Sequence, residues 1–137
     1  MNVLCVDASP IALAKIWGQL LKLLPGAEIV CCRSSQKALA AARKKGCDVL
    51  ITDIDFGAMK GEGILLAEEV KEICPRVNII FATAASEGEY TSRILKTRYS
   101  GFLNKPFTVE ELREELCHLR YPEKTDMGAS VDRQTLV

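Results

Sequence analysis

Two carboxylates, Asp53 and Asp55, stand one residue apart where an apolar run, Val49-Leu50-Ile51, ends in Thr52 and the chain turns irregular at Gly57 and Gly61. A carboxylate there can form a turn, hold a hard cation or act as a nucleophile. Asp53 on its own would be read as a turn former. Its company changes the weighing. Asp7 follows the short apolar opening Asn2-Val3-Leu4-Cys5-Val6, Thr83 ends the apolar run from Val77, and Lys105-Pro106 follows Gly101-Phe102-Leu103. A carboxylate pair, a hydroxyl and an ammonium make a useful polar set only if one edge of the fold gathers them.

The intervening sequence supplies the elements that would do so. Residues 2–6, 28–32, 48–53, 77–83 and 101–103 read as strands, with 2–6, 48–53 and 77–83 near-continuously apolar, the mark of strands covered on both faces. Ser9-Pro10 starts a helix, with Ser as N-cap and Pro at the first helical position. Apolar residues Ile11, Leu13, Ile16, Trp17, Leu20, Leu21 and Leu24 follow at helical spacing, and Pro25-Gly26 stops it. We expect Trp17 in the core or between helix and sheet. Ser34 or Ser35 caps a helix through Lys45, with Gly46 after it. A third helix covers about 62–73, and a fourth follows the polar stretch 85–89 and runs to about Arg98. Thr108-x-x-Glu111 is a capping box for the last. Strand and helix therefore alternate throughout, which implies a parallel α/β sheet with right-handed crossovers and helices on both faces. In such sheets sites form at the carboxyl ends of strands. Asp7, Asp53, Thr83 and Lys105 all fall there.

Bulk properties narrow the class. The 137 residues suit one domain that buries its own core. Eighteen basic and eighteen acidic side chains cancel, so there is no basic footprint for direct nucleic-acid binding. No apolar run nears the roughly 18 residues of a membrane span, and the N-terminus lacks the pattern of a signal peptide. We expect a cytoplasmic protein. Six cysteines without a CxxC pair read as reduced, mostly buried thiols; Cys5, Cys31 and Cys32 lie in strand-like runs. Cys117 and His118 are adjacent on a helix, and His118 reads as a surface residue. Residues 121–137 are polar and aperiodic, so the domain should occupy 1–120 and a linker or tail the rest.

With these residues in this order, the sequence resembles the receiver domain of two-component response regulators over residues 2–120. Asp7 in VLCVDASP, Asp53 in DVLITDIDFGAMKG, Thr83 in IIFATA and Lys105 in GFLNKPF carry the resemblance. It implies a flavodoxin-like fold, a five-stranded parallel sheet in the order 2-1-3-4-5. It also implies transfer of a phosphoryl group from a sensor histidine kinase to Asp53, without turnover as an enzyme. By the same resemblance Asp7 and Asp53 hold Mg²⁺ with the backbone carbonyl of Asp55, Lys105 pairs with the phosphoryl group, Thr83 hydrogen-bonds it, and Phe102 turns inward when Thr83 moves. The fourth helix, fifth strand and fifth helix would form the face for a partner or a second protomer. An effector domain or protein would lie beyond residue 121.

One departure bears on the metal. The family usually places two adjacent acids after its first strand, and the second position here is Ala8. Asp55 could bring a compensating carboxylate. Gly57 stands where the family often has Pro, and Lys60 where an acid is common. Two other readings follow. Ala8 could leave a receiver fold that only binds partners and takes no phosphoryl group. Alternatively, Asp53-Ile54-Asp55 resembles the DxD signature of aspartate-nucleophile phosphatases, although those carry it after the first strand and have another acidic motif downstream.

Overall fold

The computed structural model describes residues 1–57, 59–84 and 87–119. The expected boundary at 120 and the tail 121–137 lie outside the described residues. The elements alternate: β1 (Asn2–Val6), α1 (Pro10–Leu23), β2 (Glu28–Cys32), α2 (Ser35–Lys45), β3 (Val49–Thr52), α3 (Glu62–Ile73), β4 (Asn78–Thr83), α4 (Glu87–Lys96), β5 (Gly101–Asn104) and α5 (Val109–Cys117). The five strands form one parallel sheet in the order β2-β1-β3-β4-β5, as the resemblance implies.

Alternation along the strands divides the core. Leu4, Val6, Leu50, Ile79 and Phe81 pack against Ala38, Leu39 and Ala42 of α2, Ile64, Leu66 and Val70 of α3, and Tyr90 and Ile94 of α4. Val3, Cys5, Val49, Ile51, Ile80 and Ala82 point the other way, onto Leu13, Ile16 and Leu20 of α1 and Leu112 and Leu116 of α5. Both faces are thus apolar, and β3 and β4 are buried at every position. Each fully buried Leu, Ile or Phe stabilises the fold by about 1.5–3 kcal/mol, so the central strands are the rigid part of the molecule.

Helix ends follow their local chemistry. Ser9 Oγ accepts from the Ala12 amide, and Ser34, rather than Ser35, caps α2 by accepting from Lys37. Thr108 and Glu111 form the reciprocal capping box of α5. The Lys105–Pro106 peptide is cis. Glu115 of α5 reaches back across the sheet edge, its Oε1 accepting from the Phe102 amide at 3.0 Å.

Three expectations need correction. The fourth helix begins at Glu87 and ends at Lys96, because Arg98 takes a left-handed φ of 55° that a helix cannot continue. Trp17 is 46% exposed, at the flank of the α1 stripe formed by the buried Leu13, Ile16 and Leu20. Cys31 is exposed as well, since β2 is an edge strand of the sheet.

Candidate functional site

The strand order reverses between β1 and β3, so their carboxyl ends lie side by side and leave a crevice. The main chain there is held by the ladder: the Asp53 amide donates to the Val6 carbonyl at 3.0 Å and the Asp7 amide to the Cys32 carbonyl at 3.2 Å. The Lys105 amide donates to the Thr83 carbonyl at 3.0 Å, extending the β4–β5 pairing past its end. Asp7, Asp53, Thr83 and Lys105 therefore stand on rigid, adjacent strand ends.

The side chains converge. Lys105 Nζ lies between the two acids, hydrogen-bonded to Asp7 Oδ2 and, at 3.2 Å, to Asp53 Oδ2. All three are largely shielded, with side-chain exposures of 23%, 11% and 13% for Lys105, Asp7 and Asp53. Each acid is also oriented from the other side. Asp7 Oδ1 accepts from the Ser9 amide at 2.9 Å. Asp53 Oδ1 accepts from the Ile54 amide at 2.7 Å. Asp53 thus keeps one oxygen for its own loop and turns Oδ2 toward the lysine. Thr83, 2% exposed, closes the end of β4.

Asp55 points elsewhere. Its carboxylate accepts from the Tyr90 hydroxyl at 2.7 and 2.8 Å and from the Gly61 amide at 2.6 Å. The two acids of Asp53-Ile54-Asp55 thus face different partners: Asp53 the crevice, Asp55 the N-terminus of α3 and the buried side of α4. Phe102 is half-buried in β5, in register with Phe81, and its ring meets Tyr99 edge-on with centroids 6.4 Å apart.

Several contributors carry no signal in the sequence. Gly63, the second residue of α3, lies so close to Asp53 that a Cβ there would overlap the Asp53 carbonyl oxygen. Its amide donates to Ile54 at 2.8 Å. Arg33, after β2, donates Nε to the Ala8 carbonyl at 3.1 Å, which puts a cation beside the position lacking an acid. Tyr90 was equally unmarked. Nothing local links it to Asp55, 35 residues earlier.

A cavity of about 340 Å³ runs from the acids beneath α1, walled by Cys5, Ile16, Ile51, Ala82 and Phe107 with Asp7, Asp53 and Lys105 at its mouth. Among the described residues no three His, Cys, Asp or Glu gather into a metal cluster. The side-chain oxygen donors at the crevice are the two carboxylates of Asp7 and Asp53. That fits Mg²⁺, which keeps several waters and asks for one or two carboxylates beside phosphate oxygens. Two close carboxylates already bridged by an ammonium also show that the crevice is built around positive charge. Among the described residues no helix is long and apolar enough to cross a membrane.

Comparison with known proteins gives the same frame. The sequence pattern of the response regulator receiver domain matches residues 3–117. The chain is 31% identical over 113 residues to the transcriptional regulatory protein CitT of Bacillus subtilis and 27% identical over 105 residues to the methanol utilization control regulatory protein MoxX of Paracoccus denitrificans. It covers 48% and 47% of those two proteins, and 81% and 77% of its own length is matched, so it spans about half of these relatives. The solved structure of the chemotaxis protein CheY4 of Vibrio cholerae superposes with a TM-score of 0.76 at 26% identity, covering 87% of this chain and 98% of that one. Sheet order, strand-end acids and sequence pattern agree: the chain belongs to the receiver domains of two-component response regulators.

Proposed function

We propose that the chain accepts a phosphoryl group from a sensor histidine kinase on Asp53 and turns that charge into a change of its protein-binding face. The observation that carries this reading is Lys105 bridging Asp7 and Asp53 in a shielded crevice at the switch point of the sheet. Asp53 Oδ2 is the oxygen aimed at the lysine, and it is the one assigned as nucleophile. The N–P bond to the kinase imidazole breaks as the O–P bond to Oδ2 forms, and the imidazole, already protonated on its other ring nitrogen, leaves neutral. Lys105 then follows the new anionic oxygens as a compact point charge.

Asp7 and Asp53, with the Asp55 carbonyl, would hold Mg²⁺, which when bound offsets the charge of the phosphoryl oxygens. The Thr83 hydroxyl would hydrogen-bond one of those oxygens. Because the Thr83 carbonyl takes the Lys105 amide, both phosphoryl-binding residues share one main-chain link. Phe102, half-buried against Tyr99, would turn inward as Thr83 shifts. The face of α4, β5 and α5, roughly 89–119, would carry the output to a protein partner or a second copy. Neutral net charge suits a protein partner better than nucleic acid. A cytoplasmic site of action, a domain ending near 120 and an effector beyond residue 121 complete the proposal.

The phosphatase reading finds less support. It needs Asp55 as acid and base beside Asp53, whereas the Asp55 carboxylate is held by Tyr90 and Gly61.

Incubation with acetyl phosphate and Mg²⁺ tests the proposal. One phosphoryl group per chain is expected on the peptide holding Asp53, absent from Asp53→Asn. A stable adduct elsewhere, undisturbed by Asp53→Asn, overturns it. No adduct with an intact fold favours the pure binding module, and continuous hydrolysis of a phosphate ester favours the phosphatase.

A further inference from the structure

Cys5 and Cys31 are direct register partners on the neighbouring parallel strands β1 and β2. Alternation puts both on the α1 side of the sheet, where Cys5 belongs to the core with Leu13 and Ile29. The two thiols are close enough to shift one another's ionisation. Their surroundings differ sharply. Cys5 is 1% exposed and lines the cavity beneath α1, whereas Cys31 opens to solvent at the sheet edge, with its Sγ 4.0 Å from the Leu13 carbonyl. An accessible thiol beside a sequestered one is the arrangement of an attacking and a resolving cysteine.

We propose that Cys5 and Cys31 form a peroxide-sensitive dithiol, with Cys31 the sulfur that is oxidised first and Cys5 the sulfur that resolves it into an intramolecular disulfide. This inference stands on the β1–β2 pair and does not depend on phosphorylation at Asp53.

The oxidant is hydrogen peroxide. The Cys31 thiolate attacks the peroxide: an S–O bond forms, the O–O bond breaks, and the leaving hydroxide takes up a proton as water. Cys5 then attacks the sulfenic sulfur. An S–S bond forms, the S–O bond breaks, and the hydroxide departs with the Cys5 proton as a second water. Two thiols and one peroxide become one disulfide and two waters, with two electrons passing from sulfur to oxygen.

The thiol environments suit these roles. The Cys5 S–H donates to Cys31 and favours its thiolate, bringing Cys31 down to about 7 against the opposing effect of its partial burial. The same hydrogen bond, then burial and the neighbouring thiols, raise Cys5 well above the ordinary range. Cys5 is thus kept as the proton-bearing partner until a sulfenic acid lies beside it. Strand neighbours lie about 4.8 Å apart, within the Cα range that a disulfide spans.

The full chain, reduced and freed of reductant, is treated with one equivalent of hydrogen peroxide, quenched with an alkylating agent and mapped by mass after proteolysis. The expected product is a monomer with Cys5 linked to the peptide that carries Cys31 and Cys32, lighter by two hydrogens and reversed by a dithiol reductant. Cys32→Ala should retain the link, because Cys32 faces the other core. Cys31→Ser, a change at an exposed position, should abolish it and slow thiol loss at least tenfold. Cys5→Ala, checked for an intact far-ultraviolet spectrum, should stop at sulfenic or sulfinic acid on Cys31. A dimer linked through Cys31, a link that needs Cys32, or equal thiol loss in Cys31→Ser would each overturn the proposal.

Discussion

Tyr90 donates its hydroxyl to the Asp55 carboxylate, 35 residues earlier, and so ties the buried side of α4 to the loop that follows the phosphoacceptor strand. Tyr90 is only 5% exposed and its ring belongs to the core under α4. The contact joins the outer helix of the proposed output face to the turn beside Asp53. Tyr90→Phe keeps the ring and removes the donor. We expect a loss of about 1.5 kcal/mol in urea unfolding, at the lower end for a bond to a charged acceptor because Asp55 is exposed. Faster amide exchange should be confined to α4 and residues 55–61. An unchanged exchange pattern would mean that the bond holds nothing in place.

Lys105 serves as the resident counter-ion of the crevice. Lys105→Met leaves Asp7 and Asp53 facing each other with little water to screen them. We expect a destabilisation of about 1–3 kcal/mol in a chelator, largely recovered by millimolar Mg²⁺. The stabilisation by Mg²⁺ should be larger in the variant than in the parent chain, whose lysine already offsets part of the charge. Urea midpoints with and without Mg²⁺ give the comparison. An identical Mg²⁺ response in both chains would show that ion and lysine do not share these oxygens.

Position 8 tests the missing acid. Ala8→Asp adds a carboxylate beside the crevice and should tighten Mg²⁺, but Arg33 at the Ala8 carbonyl offers the new acid a competing partner. We expect a gain of about 1 kcal/mol, roughly fivefold in affinity, and a further gain when Arg33→Ala is added. Calorimetric titration measures both. No change in either variant would place the metal away from this loop.

Alkaline stability should report the buried thiols. Burial pushes Cys47 up to about 12 and also raises Cys32, and the Cys31 hydrogen bond followed by burial raises Cys5. A thiol raised on folding contributes stability that is complete below the unfolded value, about 8.5, and is lost as pH climbs toward the folded one. Cys31, lowered to about 7, acts oppositely: its contribution grows between about 7 and 9 and is constant above. The net decline should therefore set in above pH 9, at up to about 1.4 kcal/mol per pH unit for each raised thiol. Cys47→Ala should start less stable, because it leaves a small void, yet fall less steeply. Equal slopes in urea unfolding between pH 9 and 10 would remove Cys47 from the account.

What the sequence disclosed depended on how local the signal was. Ser9-Pro10 and the Thr108–Glu111 box mark helix starts because their partners lie within one turn. The continuous apolar runs at 3–6, 49–51 and 79–82 mark a sheet covered on both faces for the same kind of reason. Lys105 could be placed near Asp7 and Asp53 because strand order brings the strand ends together. Trp17 and Cys31 misled because apolarity does not say which stripe is covered. In α1 the exposed Trp17 and Leu21 are four residues apart, a spacing as helical as those of the buried Leu13, Ile16 and Leu20. The Tyr90–Asp55 tie, the overlap at Gly63 and the Arg33 contact are relations between distant segments, which no window along the chain contains.

The carboxylate that Glu115 lends to the Phe102 amide has a meaning for recognition. β5 is the outer strand of the sheet, and an open main-chain N–H on such a strand is an invitation for a foreign strand to add on. Glu115 occupies that donor with a side chain from the same domain, and Gly101 leaves it the space to do so. A strand that docks on this side finds that donor already taken, so selectivity leans on side-chain shape and charge more than on backbone zippering.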